Sequence, residues 1–376
     1  MSDAIYLDYQ ATTPLAPEAF AAMEPWLKDQ FANPHSVHKA GRAAAAAIEA
    51  ARAQILALLP PGGRLIFTSG ATEAINLAIK GSGAAKIAHS ATEHAAVIDC
   101  AAASRGTAKT DAEVCILPVD VGGHVRSGNI GPQISLLCVM QVNNEIGTIQ
   151  RLSGAGGIIA GAHAACATVG QTAEADRTIV LCDAVQSFGR MPMPDMADMI
   201  AISAHKIHGP KGIGALWVRN GISLDPLIHG GGQEQGLRSG TLSPALCAGF
   251  GAAAQLAAQR MAADTAHVEA LWTRAVQLFG GWTINGPTEQ RYKGNLNIRR
   301  DGLDAARLIS DCRNIMFSAG SACASGSGRP SHVLSAIGLS EAQAKSSIRL
   351  GFGRYTTMDE IEEAARQINA AAEAQG

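Results

Sequence analysis

The sequence predicts an α/β fold with a mostly parallel sheet, followed by a smaller α+β region. Between Leu65 and Val218, short apolar runs alternate with helical stretches, a pattern that favours parallel strands joined by helices. After Gly240 the pattern changes to a long alanine-rich helix followed by shorter strands and helices. The chain has 376 residues, which at roughly 150 residues per domain predicts about two domains.

Each predicted element follows from its local pattern. An alanine-rich amphipathic helix is predicted from Ser36 to Leu59. The strands of the main sheet are predicted at Leu65 to Thr68, Lys86 to His89, Ile134 to Gln141, Ile179 to Cys182, Met199 to Ser203 and Gly214 to Val218. The second region is predicted to contain helices from Ser243 to Phe279, Gly302 to Cys312 and Met358 to Ala372, with a strand from Asn295 to Arg299.

Composition excludes several classes of protein. Thirty basic and thirty-two acidic residues give a net charge of -2 without long charged blocks, which argues against nucleic acid as the main partner. The N-terminus lacks the pattern of a signal peptide, and no apolar stretch approaches the length that spans a bilayer. We therefore expect a cytoplasmic protein without a membrane contact. The eight cysteines form no C-x-x-C pair, so most are expected to be small buried hydrophobes.

Polar residues follow several predicted strands, and in an open parallel sheet such residues meet at one edge. The segment from Thr68 to Glu73 opens a helix whose backbone N–H groups could bind phosphate; the alternative is a plain strand-to-helix turn. His94 follows the second predicted strand, where a lone histidine is more often structural. Asp183 ends a later strand, where burial would require a cationic partner, but alone it is a helix cap by default.

The strongest local signal is the segment from Ser203 to Gly214. It reads Ser-Ala-His-Lys-Ile-His-Gly-Pro-Lys-Gly-Ile-Gly and lies between two predicted strands. Lys206 is flanked there by histidines and apolar residues. Desolvation near positive groups makes an amine nucleophilic, as Schiff-base chemistry requires. The alternative is a tight hairpin with Lys206 on the surface.

Together these residues match what pyridoxal 5'-phosphate needs from a protein: a lysine, an acid beside the ring nitrogen, an aromatic face and phosphate donors. Nucleotide-binding alternatives are disfavoured, because neither G-x-G-x-x-G after the first strand nor G-x-x-x-x-G-K-[ST] occurs. His205 and His208 lie three residues apart without an obvious third ligand, so no metal site is predicted.

Cys323 differs from the other cysteines because it lies in a loop of small residues from Ser318 to Ser331. The loop has no apolar periodicity, so the thiol is expected to be exposed and mobile. An accessible thiol in a cytosolic enzyme is a candidate nucleophile. The alternative is a flexible loop with an incidental cysteine.

These motifs resemble, in order and over nearly the whole chain, those of the cysteine desulfurases, the NifS- and IscS-like branch of the class V aminotransferases. The matching segments are Tyr6 to Pro14, Thr68 to Glu73, Asn143 to Gly147, the Lys206 segment, Arg238 to Thr241, Ser321 to Cys323 and Ser346 to Arg349. The resemblance implies the fold-type I transferase architecture of pyridoxal-phosphate enzymes. It has a large domain (15–245) with a seven-stranded-type sheet and a small domain (1–14 and 246–376) that carries the Cys323 loop.

The resemblance also implies a role for each motif residue. Lys206 would bind the cofactor covalently, Asp183 would pair with its ring nitrogen, and His94 would stack on the ring. The remaining cofactor contacts would come from Ala71, Thr72, Asn144, Gln186, Ser203 and His205, with Thr241 contributed by the partner subunit of a homodimer. Arg349 would bind the substrate carboxylate, helped by Asn33 and Asn144.

The implied activity converts L-cysteine to L-alanine. Lys206 would remove the α-proton, and His94 would handle a proton near the substrate thiol because imidazole titrates near neutral pH. Cys323 would take the sulfur as a persulfide and pass it to an acceptor protein, such as an iron–sulfur scaffold or a sulfur carrier.

Three departures from the family pattern concern the loops and the acceptor. Ala204 replaces the usual glycine, and Arg329 replaces an acidic residue. The chain ends at Gly376, whereas IscS-type members continue with a tail that helps to dock the scaffold. That leaves the scaffold, or its mode of docking, open.

Other functions remain as alternatives. A selenocysteine lyase or another aminotransferase-like enzyme would share the fold, but a transaminase needs no thiol at Cys323. A catalytically inactive scaffold would not need both Lys206 and Cys323. A nicotinamide-dependent or metal-binding protein would need the dinucleotide fingerprint or clustered ligands, which are not found.

Overall fold

The structure is a computed structural model that describes residues 4–105, 112–126, 128, 130–131, 133–167, 177–320 and 331–375. Within these residues the larger sheet has seven strands in the order β2-β8-β7-β6-β5-β3-β4. Its strands are β2 (Gly63–Thr68), β3 (Lys86–Ser90), β4 (Glu113–Leu117), β5 (Leu136–Met140), β6 (Ile179–Asp183), β7 (Met199–Ser203) and β8 (Gly214–Arg219). All six strands predicted for this sheet are confirmed to within a few residues, and the sheet is mostly parallel.

Strand β4 was not predicted. It lies at the edge of the sheet, paired only with β3 among the described strands, and several of its side chains remain partly exposed. By contrast, every residue of β5 and β7 is buried, as expected for inner strands covered on both faces. The prediction was incomplete because a half-exposed edge strand gives a weaker apolar signal.

Strand β8 is antiparallel to both of its neighbours, β7 and β2. Only residues 204–213 connect β7 to β8. A parallel pair needs a crossover of about a dozen residues or more, so this short connection requires the chain to turn back. The same turn places Lys206 at the end of β7.

Helices cover both faces of this sheet. Alternate residues of β5 enter two separate cores, because successive side chains of a strand point to opposite faces: Leu137 and Val139 join one core, Leu136 and Cys138 the other. The helices in this part of the chain are α1 (Pro17–Lys28), α2 (Lys39–Leu56), α3 (Ala71–Gly81), α4 (Ala95–Ala103), α5 (Ile158–Ala167) and the start of α6 (Pro244–Leu278).

Most of the remaining elements surround a third core, whereas the helices within residues 332–345 pack around a separate small cluster. A four-stranded antiparallel sheet has the order β12-β13-β10-β9, and β1 pairs in parallel with β11. These strands are β1 (Ile5–Tyr6), β9 (Thr283–Ile284), β10 (Asn295–Arg299), β11 (Ile315–Met316), β12 (Ser318–Ala319) and β13 (Ser347–Gly351). The helices are α7 (Ala305–Asp311), α8 (His332–Ala336), α9 (Glu341–Lys345) and α10 (Met358–Glu373).

Helix ends agree with the predictions to within about three residues, and side chains explain where they begin. His38 accepts a hydrogen bond from the Gly41 N–H, so α2 starts at Lys39 rather than at Ser36. Asp304 caps α7 through the N–H groups of its first turn, so that helix starts after the predicted Gly302.

Helix α6 contributes residues to two cores. Its first half packs with the large sheet through Phe250, and its second half packs with the small sheet through Leu271. We propose the division into a large domain at 15–245 and a small domain at 1–14 and 246–376, with α6 joining the two.

Five of the eight cysteines are buried, as predicted: Cys100, Cys138, Cys182, Cys247 and Cys312. Cys115 is half-buried. Cys323 and the side chain of Cys166 lie outside the described residues. None of the described helices is both long enough and apolar enough to cross a membrane.

Candidate functional site

A cavity of about 530 Å³ opens at the carboxyl edge of the large sheet. The segments that follow β2, β3, β5, β6 and β7 all contribute to its wall, as expected where parallel strands end together. Ten predicted site residues line it: Ala71, Thr72, His94, Asn144, Asp183, Gln186, Ser203, His205, Lys206 and Arg349.

Lys206 lies in a short 3-10 turn, Ala204–Lys206, directly after β7. Its Nζ donates to the backbone carbonyl of Ala11 at 2.8 Å and to that of Gln10. Its own carbonyl accepts a hydrogen bond from Arg190 Nη2 at 2.6 Å. The amine is therefore held inside the cavity rather than on the surface, which contradicts the surface-hairpin alternative.

Asp183 is the last residue of β6 and is 6% exposed. Its Oδ1 accepts a hydrogen bond from the Val185 N–H at 2.9 Å. Burial raises the pKa of Asp183, while the charges of His94 and Lys206 favour its ionised form. A buried carboxylate of this kind is stabilised by a cationic partner, such as a protonated ring nitrogen.

His94 caps the N-terminus of α4, where its Nδ1 accepts a hydrogen bond from the Ala96 N–H at 3.1 Å. Because Nδ1 is an acceptor there, a neutral ring carries its proton on Nε2. The imidazole therefore combines a structural role with a place on the cavity wall, and the functional role predicted for it stays a prediction.

One end of the cavity is rich in hydrogen-bond donors. Helix α3 begins there, and its N-cap, Gly70, supplies no side-chain cap to the free N–H groups of the first turn. Ser203, His205 and Lys211 line the same cavity. Burial lowers the pKa of His205 to about 4, assisted by the charges of Lys206 and Lys211. His205 is therefore neutral at pH 7, so the cations at this end are lysines.

Arg349 lies in β13, lines the cavity and is 1% exposed. Its Nη2 pairs with Asp8 Oδ1 at 2.7 Å, and its Nη1 donates to the Asn144 carbonyl at 3.1 Å. Its Nε is buried without a hydrogen-bond partner among the described residues. A carboxylate ligand would satisfy this donor.

Gln186 is held by two neighbours. Its Nε2 donates to the Gln10 carbonyl at 3.0 Å, and its Oε1 accepts from Arg190 Nη1 at 3.0 Å. Asn144 contributes its backbone carbonyl to Arg349 and to Asn295 Nδ2. The side chain of Gln186 and the backbone of Asn144 are thus held in place by hydrogen bonds.

Two predicted residues are not brought to this cavity in the single chain, and a third lies outside the described residues. Asn33 and Thr241 are exposed and absent from its wall in the single chain, and Asn33 Oδ1 accepts from the His35 N–H at 2.9 Å. Cys323 lies outside the described residues. The roles predicted for all three stay predictions.

Sequence reasoning assigned no role to four residues that the structure places at the site: Gln10, Thr12, Lys211 and Arg190. The first three line the cavity, and Arg190 fixes Lys206 and Gln186 from outside it. For Gln10 and Thr12, the polar run from Gln10 to Thr13 just before the first helix could have indicated a place at the site. Arg190 follows no recognisable pattern. Across the described ranges, no group of three or more His, Cys, Asp or Glu side chains could hold a metal ion.

A lysine and a buried carboxylate at the strand ends of an α/β sheet are typical of pyridoxal-phosphate enzymes. Comparison with known proteins then shows the family. The chain belongs to the aminotransferase class-V family, which it matches over residues 5–363. Within that family it groups with the cysteine desulfurases. It is 41% identical to the cysteine desulfurase IscS of Rickettsia bellii (strain OSU 85-389), over 97% of this chain and 90% of that protein.

Solved structures agree with this grouping. A NifS-like protein superposes with a TM-score of 0.86 at 28% identity, covering 99% of this chain and 100% of the other. The structure of SspA in complex with cysteine superposes with a TM-score of 0.77 at 32% identity, covering 94% and 99% of the two chains. The family and fold expected from the motifs are therefore confirmed.

Proposed function

We propose that this chain is a pyridoxal-phosphate-dependent cysteine desulfurase that converts L-cysteine to L-alanine and transfers the sulfur to Cys323. The observation that carries the proposal is the single cavity shared by Lys206, Asp183 and Arg349. These three residues provide an amine, a buried carboxylate and a guanidinium with a free donor. The sequence similarity to cysteine desulfurases supports L-cysteine as the substrate.

The residues present fit pyridoxal 5'-phosphate. Lys206 would bind its aldehyde carbon, and Asp183 would pair with the ring nitrogen, whose positive charge offsets the burial of that carboxylate. The free N–H groups of α3, with Thr72, Ser203 and His205, would hold the phosphate. When bound, the cofactor supplies an electron sink that stabilises negative charge on the substrate α-carbon.

The chain's own residues would bind the substrate and move its protons. Arg349 would take the substrate carboxylate at its unpartnered Nε, with Asn144 and Asn33 assisting. The Lys206 amine would remove the α-proton, since its Nζ already lies inside the cavity. His94 would hold or donate a proton at Nε2, because its Nδ1 is engaged at the start of α4.

Sulfur transfer is assigned to Cys323. Its thiolate would attack the substrate sulfur, forming a new S–S bond while the substrate Cβ–S bond breaks. The electron pair of the broken bond stays with the substrate carbon, which gains protons to become L-alanine. Cys323 is left as a persulfide for an acceptor protein in iron–sulfur cluster or other sulfur-cofactor synthesis.

A homodimer belongs to the same proposal. Thr241 is exposed in the single chain and does not reach the cavity. It would complete the phosphate site of the partner subunit, giving two sites per dimer.

The test measures L-alanine and sulfide released from L-cysteine and a reductant by the cofactor-loaded wild type and by Cys323→Ser. We expect equal amounts of the two products from the wild type. The variant should retain the cofactor and lose at least about 100-fold in both products, because the nucleophile is absent. Undiminished sulfide release by Cys323→Ser would contradict the proposal.

A further inference from the structure

A second cavity, of about 210 Å³, lies next to the first and shares only Lys206 with it. Its wall is formed by the segments Gly189–Met191 and Arg291–Lys293, by Arg354 and by the middle of α6. None of the residues other than Lys206 has a role in the proposed reaction as a ligand of substrate or cofactor.

Positive charge dominates this wall. Apart from Lys206, it carries Arg190, Arg291, Lys293 and Arg354 against Asp264 and Glu269. Asp264 is engaged by Arg354 at 2.7 Å and by Arg260 at 3.1 Å. Within the described part of the chain, no carboxylate lies within 4.0 Å of the guanidinium of Arg190 or Arg291 or of the Lys293 amine. The cavity therefore has an excess of cations.

Arg291 is a deeply buried member of this group, and its guanidinium lies over the Trp272 ring at 4.5 Å from the ring centroid. It is 4% exposed, and its Nη atoms donate only to uncharged oxygens, including those of Pro287 and Asn295 at 2.9 Å. Its Nε is buried without a partner among the described residues. Burial lowers the pKa of Arg291 to about 9, so the group still carries its charge at neutral pH. A buried charge without a counter-ion is costly, and an anion would offset that cost.

A second guanidinium repeats the pattern. Arg354 donates from Nε to Asp264, but its Nη1 is buried without a partner among the described residues. Two unpartnered guanidinium nitrogens thus belong to residues of one cavity wall. Planar guanidinium groups are well matched to carboxylates.

The rest of the wall selects the size and polarity of the ligand. Ala257, Met261 and Val268 of α6 and Ile149 supply apolar surface. A cavity of about 210 Å³ is better matched in size to a small molecule than to a nucleotide or a peptide. A cavity lined by both apolar and cationic side chains is better suited to an organic acid than to a fully hydrated inorganic anion.

We propose that this cavity binds a small organic carboxylate, with its charged end against Arg291 and its apolar body against α6. Arg190 connects this site to the first cavity, because its guanidinium holds both the Lys206 carbonyl and Gln186. A ligand in the second cavity would therefore contact a residue that positions the catalytic lysine.

The test is calorimetric titration of the cofactor-loaded enzyme with benzoate, and in parallel with inorganic phosphate. We expect one benzoate per chain and at least about tenfold weaker binding in Arg291→Gln. Lys293→Gln removes a charge at a half-exposed position, so it should fold normally and weaken binding about threefold. Arg274→Gln is the matched control, because Arg274 lies on α6 but pairs with Glu362 outside the cavity.

Several results would overturn the proposal. No benzoate binding at about 10 mM would do so, as would binding of phosphate without benzoate. Benzoate binding that is lost in Arg349→Gln but kept in Arg291→Gln and Lys293→Gln would assign the ligand to the first cavity instead. Retention of binding in Arg349→Gln, with at least about tenfold weaker binding in Arg291→Gln and about threefold weaker binding in Lys293→Gln, is the result that supports it.

Discussion

Glu93 is an unusual residue because its carboxyl is fully buried beside the site without a cationic partner in the described structure. Its Oε1 accepts hydrogen bonds from Ser90 Oγ at 2.8 Å and from the Met140 N–H at 2.9 Å, whereas its Oε2 has no partner among the described residues. Burial raises the pKa of Glu93 to about 8, and the neighbouring charge of Asp183 acts in the same direction. A protonated Glu93 leaves Asp183 free to hold the negative charge.

This residue should make stability depend on pH. Below the ordinary pKa of 4.5 the Glu93 carboxyl is protonated in both the folded and the unfolded chain, and between 4.5 and about 8 only the folded chain keeps the proton. Its contribution to the free energy of unfolding is thus full at low pH and is lost as pH rises toward 8. Glu93→Gln should remove this loss, so that its stability relative to wild type increases from pH 5 to pH 8.

The measurement is urea unfolding of both proteins at several pH values in that range. Glu113→Gln, at an exposed position on β4, is the control and should keep a constant difference from the wild type. Parallel curves for Glu93→Gln and wild type would show that Glu93 is already ionised in the folded chain.

Most of the site residues predicted from the sequence line the first cavity. Lys206, Asp183 and His94 were identifiable because each follows an apolar run that had to be a strand, and strand ends converge. Gln10 and Lys211 could not be identified from the sequence. Gln10 acts through its backbone carbonyl and Lys211 lies in a loop, so both belong to the site only because the fold brings them close to it. Arg190 does not line the first cavity but holds Lys206 and Gln186 by hydrogen bonds, and no local sequence pattern predicts these contacts.

Strand β13 connects the substrate side of the site to the amino-terminal segment that holds Lys206. Arg349 lies in this strand, and two residues later Gly351 lies against Tyr9 and Gln10. A Cβ added to Gly351 would fall 1.8 Å from Gln10 Oε1 and 2.9 Å from the Tyr9 backbone nitrogen. Glycine is needed here for close approach of two chain segments.

Gly351→Ala should therefore destabilise the protein by about 1–3 kcal/mol, as overpacking of a dense core does. It should also reduce the rate of alanine formation, because Gln10 must shift and its carbonyl binds the Lys206 amine. Urea unfolding and the product assay measure the two effects. Gly281→Ala, where an added Cβ meets nothing within 4 Å, should leave both unchanged. Equal stability of Gly351→Ala and wild type would refute this close packing.

The elements themselves were largely predictable, because inner strands and amphipathic helices carry strong periodic signals. The direction of β8 was not inferred, although the short connection from β7 determines it. The two-residue strands β1, β9, β11 and β12 have too few residues for any pattern, and they exist because of the partners with which they pair.

The whole molecule exposes several large apolar side chains close together in the chain. Phe20, Leu27, Phe31 and Val37 are all more than half exposed in the single chain. Phe20 and Leu27 lie seven residues apart on α1, and therefore on the same face of that helix. Such a concentration of exposed apolar groups indicates a protein interface, which agrees with the proposed homodimer.

Phe31→Glu should weaken the dimer at least tenfold, because it places a charge in that apolar surface. Sedimentation over a range of protein concentrations measures the dissociation constant. Val121→Glu is the matched control, since Val121 is 82% exposed but belongs to a turn after β4. Identical dissociation constants for Phe31→Glu and wild type would exclude this surface as the dimer contact.

Residues that a partner subunit contributes to the site are not predicted by local sequence patterns. Thr241 and Asn33 were assigned to the site through family resemblance, yet both are exposed and off the cavity wall of one chain. Contributions from a second subunit leave no signature in the local pattern of the first, so only the assembled protein can test them.

We propose Lys206 as the cofactor-binding and proton-removing amine of the site. This proposal is tested most directly by measuring alanine formation from L-cysteine, together with visible cofactor absorbance, in Lys206→Ala and Lys211→Ala. Both lysines line the same cavity. We expect Lys206→Ala to lose the absorbance of covalently bound cofactor and all detectable turnover, whereas Lys211→Ala should keep both, with weaker cofactor binding at most. Undiminished turnover in Lys206→Ala would contradict this proposal.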